Sequence, residues 1–165
     1  MWAESDRPGE VELGPARRIP TDPAEEKPQP GIGLCLSGGG YRAMLFHAGS
    51  LIRLKELGVL ARVDRISSVS GGSIIAGLLG IRWSELELAS LDTAALKRHV
   101  VDPIRKLAST TIDAPSVIGG LAWFGSASDR IEKAYRQHLF GDATLQDLPD
   151  HPRFVINATN VQSMA

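Results

Sequence analysis

The sequence holds a single cysteine among 165 residues, only 5% aromatic residues, and no excess of either charge. One cysteine, Cys35, excludes an intrachain disulfide framework and a cysteine-built zinc site. Its place inside the apolar run Gly31-Ile32-Gly33-Leu34-Cys35-Leu36-Ser37 predicts burial as a small hydrophobe. A formal net charge of -1 and a pI near 6.4 give no long-range basic field, which argues against nucleic acid as a partner. The most continuous apolar stretch, Ile74 to Ile81, is far shorter than the ~20 residues that span a bilayer. The first residues, Met1-Trp2-Ala3-Glu4-Ser5-Asp6, lack the basic start and apolar centre of a secretory signal. These absences predict a cytoplasmic chain, membrane-associated at most through peripheral contact.

What is present is an ordinary globular composition, 43% hydrophobic and 22% charged, of a length suited to one domain. Six of the ten prolines fall before Gly31 among many charges and without apolar periodicity, so residues 1–30 read as a disordered leader and 31–165 as the folded part. Ile32, Leu34 and Leu36 open a strand. Tyr41 to Leu57 spaces Met44, Leu45, Ala48, Leu51 and Ile52 by three and four, with Gly58 as a C-terminal stop, which predicts an amphipathic helix. Val63 to Val69 predicts a second strand, and Ser70 to Trp83 a second helix. Strand, helix, strand, helix at this spacing implies a right-handed βαβ unit and a parallel sheet.

The middle is less regular. Thr93 to Val101 suits a helix that Pro103 should interrupt, and Thr110 to Gly125 reads as loops and short helices. Ser128 is placed to cap a helix through His138, with Gly141 after it. Arg153 to Val161 predicts a third strand.

The chemistry lies at two strand ends. Gly38, Gly39 and Gly40 follow the first strand and open the first helix, where glycine lets the backbone come close to a ligand and unpaired amides carry a partial positive charge. The expected guest is an anion: a phosphate, a dinucleotide pyrophosphate, or the oxyanion of an acyl-transfer intermediate. No Gly-Lys-Ser or Gly-Lys-Thr follows, so the phosphate-loop reading fails. Gly38-Gly39-Gly40-Tyr41-Arg42-Ala43 fits the GxGxxA of dinucleotide binders. The second strand, however, ends in Ser68, Val69 and Ser70 where an acid for the ribose is needed. Acyl transfer accounts for that serine directly. Ser70 lies between Val69 and Gly71 at a strand-to-helix junction, with Gly72 sparing the tight turn a clash, as a nucleophile elbow requires. The pattern is SxSxG in place of GxSxG, and Ser68 is small enough to fit. The plain alternative for Ser70 is a helix cap.

On Gly38-Gly39-Gly40-Tyr41-Arg42, Ser68-Val69-Ser70-Gly71-Gly72 and the Phe154-Val155-Ile156-Asn157-Ala158-Thr159-Asn160 segment, the chain resembles the patatin-like phospholipases from Gly31 to about Gln162. The resemblance implies a three-layer α/β/α fold with a mainly parallel sheet. It implies Ser70 as nucleophile and Gly38, Gly39 and Gly40, helped by Arg42, as oxyanion hole. It further implies hydrolysis of phospholipid or other lipid esters through an acyl-enzyme, with a serine-aspartate dyad, no histidine, and neither metal nor organic cofactor.

One element of the family pattern has no match: no aspartate here is followed by glycine. The sequence therefore reads as the N-terminal part of a longer enzyme, close to inert by itself because a serine without a general base is a weak nucleophile. A noncatalytic lipid-binding remnant is the alternative, and a dinucleotide-binding domain a more distant one. No motif places His47, His99, His138, His151, Asp64 or Asp113 beside Ser70 as a substitute base. Arg42 suits either a solvated helix position or the anion site. Val117 to Phe124 suits core packing, or an acyl-chain surface. Asn157 and Asn160 suit strand-end caps or supports for the active-site loops. A sheet cut after three strands would expose an edge, so the isolated chain is expected to aggregate or to be marginally stable.

Overall fold

Alternate side chains of a strand share a face, which in Ile32–Leu36 puts Ile32, Leu34 and Leu36 on one side and Gly33 and Cys35 on the other. A computed structural model describes residues 30–109 and 127–159 of the chain and carries this alternation across three strands. These are β1 (Ile32–Leu36), β2 (Val63–Val69) and β3 (Arg153–Asn157), in one sheet of order β1-β2-β3 with both pairings parallel. Leu34 pairs with Ile66 and Ile66 with Phe154; Leu36 pairs with Ser68 and Ser68 with Ile156. One face is thus apolar apart from the buried Ser68. On the other, Cys35, Ser67 and Val155 align. The register slips between Ile32 and Gly33, where the Asp64 carboxylate accepts the Ile32 N–H at 2.7 Å. Asp64 is therefore a strand-pairing device at the end of the sheet remote from Ser70.

The helices are α1 (Gly40–Glu56), α2 (Gly71–Ile81), α3 (Ala94–Leu96), α4 (Asp102–Ser109) and α5 (Ala127–Tyr135) among the described residues. The α2 helix packs against all three strands and against α1, and α1 in turn meets α4. Leu51, Leu60, Ile66, Ile75, Leu79, Leu96, Ile104 and Leu107 have no exposed surface and form the core with Leu36, Met44 and Leu78. This core lies against the apolar face of the sheet. The opposite face leaves Val69 and Val155 exposed, at 46% and 41%. Cys35 stands on that face and is exposed, so the expectation of a buried thiol is corrected: the run is apolar, but its odd positions point away from the core. A second helix layer against this face is not among the described residues.

Two other expectations change. Pro103 does not interrupt its helix, because α3 passes through a π-helical segment, Lys97–Val101, straight into α4. The Asp102 N–H reaches back five residues to the Lys97 carbonyl. This widened turn comes just before the residue that lacks an N–H, and it relieves the clash of the proline ring with the preceding turn. Ser128 lies inside α5, which already includes Ala127, and is not its cap. A second π-helical segment, Arg136–Phe140, ends at Gly141 with φ 59°, where the sequence placed a stop. The β3 strand ends at Asn157, four residues short of the predicted limit. The proposed leader, Asp113, Val117 to Phe124 and Asn160 lie outside the described residues.

Candidate active site

Parallel pairing of Leu36 with Ser68 makes the chain leave β1 and β2 at neighbouring points on the same edge of the sheet. Beyond Leu36 come Ser37, Gly38 and Gly39 and then α1; beyond Val69, the single residue Ser70 turns the chain into α2. A one-residue junction demands a sharp backbone. Ser70 has φ 53° and ψ -123°, a positive φ that side chains other than glycine rarely adopt, with ψ far from the left-handed helical basin. Ser70 is exposed, and its side chain makes no cap hydrogen bond; its carbonyl instead accepts from Ser73 N at 2.8 Å. The helix-cap reading of this serine thus finds no supporting bond.

Close approach of the two tips explains their glycines. A Cβ on Gly38 would stand 3.1 Å from Ser70 Cβ and 3.7 Å from Ser70 Oγ. A Cβ on Gly71 would stand 2.9 Å from the backbone nitrogen of Gly40, and one on Gly72 would stand 2.6 Å from the carbonyl carbon of Leu36. Gly39, the residue before α1, has φ 132°, which only glycine adopts without strain. The N–H groups of Gly38, Gly39 and Gly40 are donors in none of the loop and cap backbone hydrogen bonds of the described residues. Amides at the start of a 17-residue helix therefore remain beside an exposed hydroxyl.

The surrounding residues fix this arrangement. Ser68 is buried, and its hydroxyl donates to the Val155 carbonyl at 3.4 Å, so a serine fits where GxSxG has glycine. Asn157 donates from Nδ2 to Ser67 Oγ and to the Ser68 carbonyl, both at 3.1 Å, tying the end of β3 to the strand that carries Ser70. Val69 is exposed beside the Ser70 turn. Arg42, in the first turn of α1, is exposed and has no ion pair among the described residues.

None of the histidines bonds Ser70. His99 pairs with Glu85 at 2.9 Å, His138 lies in the π-helical segment after α5, and His151 is exposed before β3. His47 is 5% exposed and sits below the glycine tip, its Nε2 3.0 Å from the Ser37 carbonyl oxygen and 3.4 Å from Ser37 Oγ. Sequence reasoning found no motif placing His47 beside Ser70 and left it among histidines that are exposed or satisfied structurally. Its position on the buried stripe of α1 with Met44, Ala48 and Leu51 was the signal that it serves the interior. No group of three or more His, Cys, Asp or Glu suited to a metal occurs among the described residues. No described helix is long and apolar enough to cross a membrane.

Residues 34–164 match the family model described as patatin-like phospholipase. SPO1 of Saccharomyces cerevisiae, named as a meiotic phospholipase, is 38% identical over 65 residues, which are 39% of this chain and 10% of that protein. Lysophospholipase 2 of Candida albicans is 46% identical over 67 residues, 38% of this chain and 10% of that protein. The matched stretch is thus about a tenth of each relative's length. No solved structure gives a significant match. The family match runs from within β1 past the end of β3 and takes in both tips and the strand that braces them; the chain belongs to the patatin-like phospholipase family.

Proposed function

We propose that this chain supplies the nucleophile and oxyanion hole of a serine lipid acyl hydrolase, acting on phospholipids or lysophospholipids. The backbone of Ser70 carries the reading: φ 53° and ψ -123° at the β2–α2 junction lift its hydroxyl to the edge where Gly38 approaches. Ser70 Oγ attacks the ester carbonyl, and the developing oxyanion is received by amides of Gly38 to Gly40, with Arg42 near the mouth for an acidic head group. The alcohol leaves with the proton taken from Ser70, and water then releases the fatty acid from the acyl-enzyme. No metal or organic cofactor enters the reaction.

Proton transfer needs a base, and no side chain among the described residues hydrogen-bonds Ser70 Oγ. The family resemblance assigns the base to an aspartate followed by glycine, a pair that does not occur in these 165 residues. General-base help is worth about 100- to 10,000-fold, so Ser70 without such a base turns over very slowly. The same lack favours a second reading, a noncatalytic lipid-binding module. A fluorophosphonate probe applied to the protein expressed from its full gene separates the two. Labelling that disappears in Ser70→Ala, together with fatty-acid release from phospholipid vesicles, is the expected result. A folded but unlabelled protein that still binds the vesicles supports the module and overturns the enzyme.

A further inference from the structure

A carbonyl oxygen only accepts hydrogen bonds, so at 3.0 Å from the Ser37 carbonyl the Nε2 of His47 carries the proton and donates it. The Ser37 C=O and the Gly38 N–H belong to one peptide unit. That unit is planar and trans, so its C=O and N–H point in opposite directions. Holding the carbonyl inward against α1 therefore turns the Gly38 N–H outward, and Gly38 is the glycine whose Cβ position lies 3.7 Å from Ser70 Oγ. Strand pairing ends at Leu36. The Ser37 carbonyl oxygen also lies close to Gly72, 2.7 Å from where a Cβ there would stand, but its hydrogen bond is to His47, so losing that bond loosens the orientation of this peptide.

We infer that His47 is a positioning residue of the oxyanion hole: its Nε2–H fixes the Ser37–Gly38 peptide so that the Gly38 amide faces the reacting carbonyl oxygen. This rests on Ser70 being the nucleophile. His47 itself touches no substrate, and with Nε2 committed as a donor that nitrogen is closed to the Ser70 proton. The burial of His47 and its place on α1 make the anchor rigid, because α1 packs on α2, the helix that begins immediately after Ser70. One helix pair thus carries both halves of the site: α2 follows the nucleophile directly, and α1 restrains the donor through a single side chain two turns from its start.

The test uses the protein expressed from its full gene and two variants. His47→Leu fills the volume without a donor, and His47→Gln restores an N–H near the Nε2 position. For hydrolysis of a short-chain ester, His47→Leu is expected to lower kcat about 10-fold or more with KM within about 2-fold, and His47→Gln to recover most of the loss, as befits a donor whose own removal costs about 100- to 1,000-fold. Unchanged kcat in a folded His47→Leu protein, or equal losses in both variants, would overturn the inference and leave His47 a packing residue. Two NMR readouts are independent of turnover. The imidazole nitrogens should report the Nε2–H tautomer, and the Gly38 amide signal should move in His47→Leu and return in His47→Gln. An Nδ1–H tautomer, or an unmoved Gly38 signal, overturns the inference even if a variant unfolds or Ser70 proves unreactive. Loss of probe labelling at Ser70 in the unmodified protein counts instead against the hydrolase reading.

Discussion

Two residues other than glycine hold a positive φ among the described residues, Ser70 at 53° and Glu87 at 49°. Their surroundings differ. The Glu87 turn is clamped from below by the buried Lys55, which donates from Nζ to the Glu87 carbonyl at 2.8 Å and to the Ser90 carbonyl at 2.9 Å. There the local strain is matched by bonds that need it. Ser70 has no comparable side-chain anchor. It is held between a paired strand and a helix, with glycine tips closing around it and its hydroxyl unengaged among the described residues. Backbone strain alone does not mark a reactive residue; what sets Ser70 apart, and what the proposed function rests on, is that its strain exposes a hydroxyl beside amides left out of the loop and cap bonds.

The sharpest way to break this comparison is to relieve the strain at each place. Ser70→Gly should abolish ester hydrolysis, by about 10,000-fold or more in kcat, while raising stability by roughly 1 kcal/mol. Glu87→Gly should give a similar rise in melting temperature and leave kcat unchanged. Equal activity losses in the two variants would mean that the Glu87 turn belongs to the site. Next in size, Gly72→Ala forces a Cβ to 2.6 Å from the Leu36 carbonyl carbon, backbone that cannot yield cheaply. The expected loss is about 3 kcal/mol or more, read by urea unfolding. A mild effect would show that the tips sit further apart than described.

The smallest effect belongs to the clamp. Lys55→Met leaves two carbonyls without their donor and should cost about 1–3 kcal/mol with no change in kcat. Burial pushes the Lys55 ammonium below its ordinary 10.5, partly offset by the nearby carboxylates of Glu87 and Asp92. Between the depressed folded value and 10.5 the unfolded chain holds the extra proton, so this group makes the folded state gain stability as pH rises through that window. Unfolding measured at alkaline pH steps should show this upward slope in the parent and not in Lys55→Met.

Much of the fold was legible because its elements begin and end on local chemistry. The β2 strand runs from Val63 to Val69 as its apolar pattern predicts, β1 matches Ile32, Leu34 and Leu36, and α1 departs from its predicted span by one residue at each end. Gly38, Gly39, Gly40 and Ser70 were readable as a pair of tips because glycines and a small hydroxyl residue have few other reasons to recur at two strand ends. Exposure was harder. Cys35 and Leu36 are neighbours in one apolar run, and only the face of the sheet to which each points separates them. Pro103 misled for a different reason, since a π-helical turn absorbs a proline that an α-helix would reject. The role of His47 was hidden because its partner is a backbone carbonyl, and backbone acceptors leave no trace in residue identity.

The Asn157 bonds to Ser67 and Ser68 join residues 90 and 89 positions apart. Loops that long close late, because chain entropy must be surrendered before the contact returns anything. During synthesis the turn at Ser70 must therefore wait unbraced until residue 157 has left the ribosome. The geometry around Ser70 is thus completed only when the third strand docks beside the second.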